Sequence, residues 1–152
     1  MNAKIIALSC DLPEREVSNR ELQAENPTWD MERVGKKTGI ERRRIAAENE
    51  TASDLAFAAA ERLFAGSSVQ RDEIDYLLFC TQSPDYVLPA SACILQDRLR
   101  LPLSCGAIGF NQGCSGFIYG LQLANALVCS GTARNVQLLT GETYSKYIHI
   151  SA

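Results

Sequence analysis

The stretch Asn111-Gln112-Gly113-Cys114-Ser115-Gly116-Phe117 lies between two apolar segments of the chain. Residues 107–110 predict a buried strand, and residues 117–130, which are followed by Gly131, predict a helix. This pattern places Cys114 at a strand-to-helix turn, where free backbone N–H groups and the helix dipole favour a thiolate. Cysteine is also a common small residue of protein cores, so position alone leaves a nucleophilic and a structural role equally open.

The helix predicted over residues 117–130 is apolar on almost every side, with only Tyr119, Gln122 and Asn125 interrupting it. A helix of this composition is expected to be buried all round, between two layers of structure. It is too short, and too interrupted by glycine, to indicate a membrane span.

Predicted strands and helices alternate along the chain, which indicates an α/β protein with a largely parallel sheet. The buried helix needs a second apolar surface, and 152 residues supply few elements to provide it. We therefore expect the chain to be half of a larger architecture. The predicted strands are 4–10, 74–81, 105–110 and 135–140, and the predicted helices are 18–22, 30–37, 51–65, 89–98 and 117–130.

Composition indicates one domain of an ordinary globular protein, with 46% hydrophobic residues and a net charge of −3. This charge does not favour nucleic-acid binding, and residues 1–13 lack the apolar core of a signal peptide. The six cysteines are scattered without C-x-x-C spacing. We therefore expect neither a disulfide framework nor a metal site, and a reducing cytoplasm is the predicted compartment.

Six short strings, taken together and in order, resemble the N-terminal half of ketoacyl-[acyl carrier protein] synthase III, a family of the thiolase-like superfamily. The resemblance covers nearly all of residues 1–152, which form a single half-domain on this interpretation. The strings are Lys4-Ile5-Ile6, Leu12-Pro13-Glu14, Lys37-Thr38-Gly39-Ile40-Glu41-Arg42-Arg43, Asn49-Glu50-Thr51-Ala52-Ser53, Pro89-Ala90-Ser91-Ala92-Cys93 and Gly113-Cys114-Ser115-Gly116-Phe117.

The resemblance implies a fold and a reaction. The fold is the N-terminal half of a layered αβαβα architecture, with a mostly parallel sheet and helices on both faces. Cys114 takes an acyl group from acyl-CoA as a thioester, which then condenses with malonyl-acyl carrier protein, and no cofactor takes part. The assisting His and Asn come from the second half, so His149, outside the family's histidine motif, is expected to be an ordinary loop residue.

The resemblance also implies a homodimer, with no nucleic-acid or membrane partner. In the family the strand corresponding to residues 135–140 pairs with its twofold copy. Leu88, in the loop before Pro89, is then expected to reach the acyl pocket of the partner subunit.

The substrate-binding residues implied by the resemblance lie in residues 29–43. Arg33 stands where the family commonly has a tryptophan that stacks on the CoA adenine, and Lys37 stands where it often has a phosphate-contacting arginine. Trp29 is either a substitute for that tryptophan or an ordinary aromatic residue, half-buried in the core or on the surface. Basic residues are concentrated here, which indicates either a solvated face or a binding site for CoA phosphates and an acidic carrier protein. The expected binding residues are Trp29, Arg33, Lys37, Arg42 and Arg43.

Two alternative functions remain open. One is another thiolase-like enzyme that uses the same cysteine on a different acyl-CoA, such as a hydroxymethylglutaryl-CoA synthase or a chain-elongating synthase. The other is a non-catalytic truncated chain that only dimerises. The combination of the Gly-Cys-Ser-Gly-Phe and Thr-Gly-Ile strings favours the synthase III interpretation.

Overall fold

The computed structural model describes residues 3–147, and these divide into two compact units. The smaller unit comprises residues 12–50, and the larger comprises residues 3–11 together with 51–147. His149 lies outside the described residues.

The smaller unit contains two short strands and two short helices. Strand β1 (Arg15–Ser18) is followed by helices α1 (Asn19–Glu25) and α2 (Met31–Thr38) and by strand β2 (Arg42–Ile45), which pairs antiparallel with β1. The two helices predicted in this part of the chain are confirmed. The two strands were not predicted, because their charged side chains show no apolar alternation.

The larger unit is an α/β arrangement, which confirms the predicted fold class. Helix α3 (Ala52–Gly66) precedes strand β3 (Tyr76–Cys80), helix α4 (Ser91–Arg98), strand β4 (Gly106–Phe110), helix α5 (Gly116–Cys129) and strand β5 (Val136–Thr140). Strand β3 lies in the centre of a three-stranded sheet and is parallel to both β4 and β5.

Helices cover both faces of this sheet. Helices α3 and α4 pack with Leu77, Phe79 and Leu139 in the hydrophobic core. Leu138 points to the opposite face, because successive side chains of a strand alternate. There Leu138 packs directly against Gly120 of α5, so the predicted layers on the two faces are confirmed.

One sequence-based prediction is wrong for the described chain. Residues 4–10 form no strand, and Ile6 and Leu8 are 59% and 78% exposed. An apolar run becomes a strand only where a neighbour completes its hydrogen bonds, and no described strand pairs with this segment. Helix α5, by contrast, is covered by the sheet on one side only, and the exposure of its other side agrees with the expectation that a second half is needed to cover it. Only Gly116 and Gly120 are buried in it, whereas Ile118 is 58% exposed.

Candidate active site

Three loops meet at one edge of the sheet in the larger unit. Because β3, β4 and β5 are parallel, their carboxyl ends point to the same edge, and residues 81–83, 111–115 and 141–143 follow those ends. Backbone bonds continue the sheet by one residue on each side of β3. The Thr81 N–H donates to Phe110 O over 3.1 Å, and the Gly141 N–H donates to Cys80 O over 3.2 Å.

Cys114 lies in the middle loop, in a single 3₁₀ turn (Gly113–Ser115) that leads directly into α5. Its side chain is exposed. Gly113 has a φ of 52°, which a residue with a Cβ rarely adopts. The turn is closed by local bonds, since the Gly113 N–H donates to Asn111 Oδ1 at 3.2 Å and Ser115 Oγ donates to Gln112 O at 2.9 Å. The predicted strand–turn–helix setting of Cys114 is therefore observed.

The amino terminus of α5 has no side-chain cap. Helices α1, α2 and α3 differ, because Ser18, Asp30 and Thr51 accept hydrogen bonds from their first-turn N–H groups. Uncapped N–H groups and the positive end of the helix dipole are the elements from which anion-binding sites are built. The turn Gly113–Ser115, here called the cysteine turn, therefore lies next to backbone N–H groups of α5 that the cap residue does not bind through its side chain.

A second thiol lies directly beneath the start of α5. A Cβ placed on Gly116 would lie 2.2 Å from the Sγ atom of Cys80, so only glycine permits this approach. Cys80 is 4% exposed, and this burial raises the pKa of its thiol, with the negative charge of Glu142 adding to the effect. The Cys80 thiol is therefore held neutral below the cysteine turn, whereas the Cys114 thiol faces solvent.

The loop between β3 and α4 carries an exposed apolar tip. Val87 and Leu88 are 100% and 86% exposed, so Leu88 does not contribute to the core of its own chain. The base of the loop is fixed through Asp85, which accepts a hydrogen bond from Ser53 Oγ and whose backbone N–H donates to Ser91 Oγ at 3.0 Å. The tip is thus presented to the outside from a well-anchored base.

The predicted substrate-binding residues of the smaller unit separate into two groups. Arg42 pairs with Glu16 at 2.8 Å, and Arg43 donates to Val17 O and to Asn19 Oδ1. Their guanidinium groups are therefore engaged in holding β1, β2 and α1 together. Among the described residues, Arg33 and Lys37 have no ion-pair partner, and their i, i+4 spacing places them on one side of α2.

Trp29 lines a pocket of about 810 Å³ in the smaller unit. Trp29 is exposed, at 37%. The pocket wall also carries the cations of Arg20 and Lys36, although Lys36 pairs with Glu32 at 2.6 Å. This lining combines an aromatic ring with charges of both signs, because Asp30, Glu32 and Glu41 also belong to it, and it contains neither Arg33 nor Lys37.

Sequence reasoning missed three polar residues of the active-site edge: Gln82, Ser83 and Glu142. The Glu142 carboxylate accepts hydrogen bonds from the Gln82 N–H at 2.7 Å and from Ser83 Oγ at 3.0 Å. The only signal in the sequence was their position, because each follows a predicted strand at its carboxyl end. Polar residues there belong to the edge where α/β proteins bind ligands.

Within residues 3–147, no group of three or more His, Cys, Asp and Glu side chains is arranged to hold a metal ion. In the same part of the chain, no helix combines the length and the apolar character needed to cross a membrane.

Comparisons with known proteins identify similar sequences and structures. The family model described as 3-oxoacyl-[acyl-carrier-protein (ACP)] synthase III matches residues 108–152, which include Cys114. The chain is 39% identical over 144 residues to beta-ketoacyl-[acyl-carrier-protein] synthase III 2 of Halalkalibacterium halodurans, covering 95% of the chain and 43% of that relative. It is 37% identical over 146 residues to a synthase III of Xanthomonas axonopodis pv. citri, covering 96% and 44%.

Solved structures agree with these matches. A crystal structure of a 3-oxoacyl-(acyl-carrier-protein) synthase III is similar with a TM-score of 0.92 and 51% identity, covering 99% of this chain and 44% of that one. The synthase III of Thermus thermophilus is similar with a TM-score of 0.86 and 38% identity, covering 95% and 44%. The chain thus spans less than half the length of the relatives that it matches.

Proposed function

Because the chain is homologous to the N-terminal half of the 3-oxoacyl-[acyl-carrier-protein] synthase III family, we propose that it supplies the acyl-accepting half of such an enzyme. The observation that carries the proposal is the exposed Cys114 thiol, in the turn before the uncapped helix α5 and within the segment that the family model matches. The whole reaction is a condensation of an acyl-CoA with malonyl-acyl carrier protein in fatty acid or related biosynthesis.

The first step uses residues of this chain. The Cys114 thiolate attacks the thioester carbonyl of acyl-CoA and forms a tetrahedral oxyanion. The backbone N–H of Cys114 is the expected donor to that oxyanion, because its turn leads into the amino end of α5, which has no side-chain cap. Collapse of the intermediate transfers the acyl group to Cys114 Sγ and releases CoA as its thiolate.

The second step needs groups that this chain does not supply. Loss of carbon dioxide from the malonyl thioester leaves an enolate, which attacks the acyl thioester on Cys114 and returns the cysteine to its thiolate form. The developing negative charge requires positioned donors, which the resemblance assigns to a His and an Asn of the second half. The exposed apolar side of α5, which includes Ile118 and Leu123, supports a second half packed against it.

For the substrate, we propose that Arg33 and Lys37 contact the phosphates of CoA or of the carrier protein's prosthetic group, because their charges are unpaired among the described residues. Trp29, which lines this pocket together with Arg20, is the proposed stacking partner of the adenine ring. The internal bonds of Arg42 and Arg43 make them weaker candidates for phosphate contact than the sequence indicated.

We propose a homodimer that forms through β5, with Leu88 directed to the acyl pocket of the partner subunit. Within the described chain β5 pairs only with β3, so its other edge is unpaired there, as is the outer edge of β4. We also propose a cytoplasmic location, which is supported by the lack of any disulfide among the six cysteines, all of them within the described residues, since this suits a reducing compartment.

The test is formation of a thioester on Cys114. The chain is incubated with a short acyl-CoA, and the mass added to each cysteine peptide is measured, with Cys114→Ala as the comparison. We expect one acyl group on Cys114 in the wild type and none in the variant. Acyl groups spread equally over Cys93 and Cys129, which are also exposed, would overturn the proposed nucleophile. Condensation by this chain without its second half is expected to be undetectable.

A further inference from the structure

The Glu142 carboxylate joins two loops of the active-site edge. It accepts the Gln82 N–H at 2.7 Å and Ser83 Oγ at 3.0 Å, and both donors lie in the loop after β3. A third bond runs in the opposite direction, from the Thr143 N–H to Ser83 Oγ at 3.0 Å. Bonds to a carboxylate are charge-assisted and therefore stronger than bonds between neutral groups.

These bonds begin where the sheet ends. The last backbone bonds between neighbouring strands are those of Thr81 and Gly141, one residue beyond β3 and β5. Beyond them the two loops are joined through side chains. Ser83 and Thr143 are buried, at 3% and 5% exposure, so the bonds that Ser83 Oγ makes to Glu142 and to the Thr143 N–H are shielded from water. Within its own loop Ser83 is also held by Thr81, whose Oγ1 accepts from the Ser83 N–H at 3.0 Å.

The loop held in this way lies beside the cysteine turn. A Cβ placed on Gly113 would lie 3.7 to 3.8 Å from the Nε2, Cδ and Oε1 atoms of Gln82, so the carboxamide of Gln82 packs beside Gly113. Gly113 directly precedes Cys114 and has the left-handed backbone on which the turn depends. If the loop after β3 shifts, the packing of Gln82 beside Gly113 changes. Gly113 in turn sets the orientation of the Cys114 thiol.

We propose that Glu142 is a positioning residue for Cys114, which acts by clamping the Gln82–Ser83 loop against the cysteine turn; the inference rests on the acyl-accepting role proposed above. Glu142 does not touch the reacting atoms in this account. Its loss misplaces the thiol relative to the backbone donors at the start of α5, and misplacement by about 1 Å reduces the rate of a positioned reaction by roughly a hundredfold.

The experiment compares wild type, Glu142→Gln and a control, Asp97→Asn, which removes an exposed charge from α4. In the full-length protein we expect Glu142→Gln to lower kcat for acylation of Cys114 by about ten- to a hundredfold. The KM for acyl-CoA should stay within about twofold, because the CoA contacts are elsewhere. A merely structural loss would instead reduce the folded fraction and leave kcat per folded molecule unchanged.

Amide hydrogen exchange supplies a readout that does not need the reaction. Glu142→Gln should accelerate exchange at Gln82 and Thr143 and across residues 111–115, while Asp97→Asn changes neither exchange nor kcat. Unchanged exchange at 111–115 overturns the inference, as does an unchanged kcat in a protein whose wild type is acylated at Cys114. If the wild type is not acylated, the proposed function fails. The clamp is then judged by exchange alone, and acceleration at 111–115 still supports it.

Discussion

The close approach of Gly116 to Cys80 gives a quantitative test of how the cysteine turn is held. In Gly116→Ala, the new Cβ would lie 2.2 Å from Cys80 Sγ, whereas unstrained contacts begin near 3.4 Å. The difference, 3.4 − 2.2, is 1.2 Å, and it must be absorbed by the sulfur or by the start of α5. Cys80 is 4% exposed and lies at the end of the central strand, so little of the movement falls on the sulfur.

The expected cost combines two opposing effects. Overpacking in a filled core destabilises by about 1–3 kcal/mol. Replacing glycine by alanine in a helix offsets this by at most about 1 kcal/mol. We therefore expect Gly116→Ala to lower the free energy of unfolding by about 1–2 kcal/mol relative to the wild type. A displacement of about 1 Å at the start of α5 should also slow acylation of Cys114 by roughly a hundredfold.

Urea unfolding followed by circular dichroism measures the first effect, and a midpoint lower by about 0.5–1 M is expected. Gly66→Ala is the matched control, because no atom lies within 4 Å of a Cβ at the last residue of α3. The double variant Cys80→Ala/Gly116→Ala removes the sulfur and should recover part of the lost stability. An unchanged midpoint for Gly116→Ala, or a double variant no more stable than Gly116→Ala alone, would refute the reasoning.

Three further predictions concern charge, pH and assembly. Replacing Arg33 and Lys37 by Glu should raise the KM for CoA substrates at low salt and weaken the salt dependence of that KM, with Arg100→Glu as the control. If the variant and the wild type have equal kinetics, Arg33 and Lys37 are solvated surface residues that do not bind the substrate. The backbone N–H groups that bond to the Asp75 carboxylate lower its pKa below 3.8, so its stabilising effect is present above about pH 4 and lost as the pH falls through the lowered value. Asp75→Asn should therefore destabilise by about 1 kcal/mol at pH 7 in urea titrations and by much less at pH 3, and a pH-independent difference would contradict this. A proline placed in β5 should shift the full-length protein from dimer to monomer in sedimentation experiments if that strand pairs with its copy.

Local patterns in the sequence predicted most of the secondary structure. The helices α1, α2 and α3 are capped by the preceding residues Ser18, Asp30 and Thr51, whose side chains bond to the first turn. Such caps can be read from the sequence because their partners lie three residues away. The apolar run of β3 and the glycines around Cys114 likewise indicated the central strand and the strand–turn–helix setting of the thiol. These features depend on neighbours in the chain, and so the sequence by itself determined them.

Tertiary structure decided the features that depend on distant partners. Residues 4–10 have the composition of a strand, but a strand needs a second chain segment for its hydrogen bonds. The clamp of Glu142 joins loops whose residues are about 60 positions apart, and only the parallel register of β3 and β5 brings them together. The fit of Gly116 over Cys80 has the same origin, because packing of α5 on the sheet sets that distance and no local pattern encodes it.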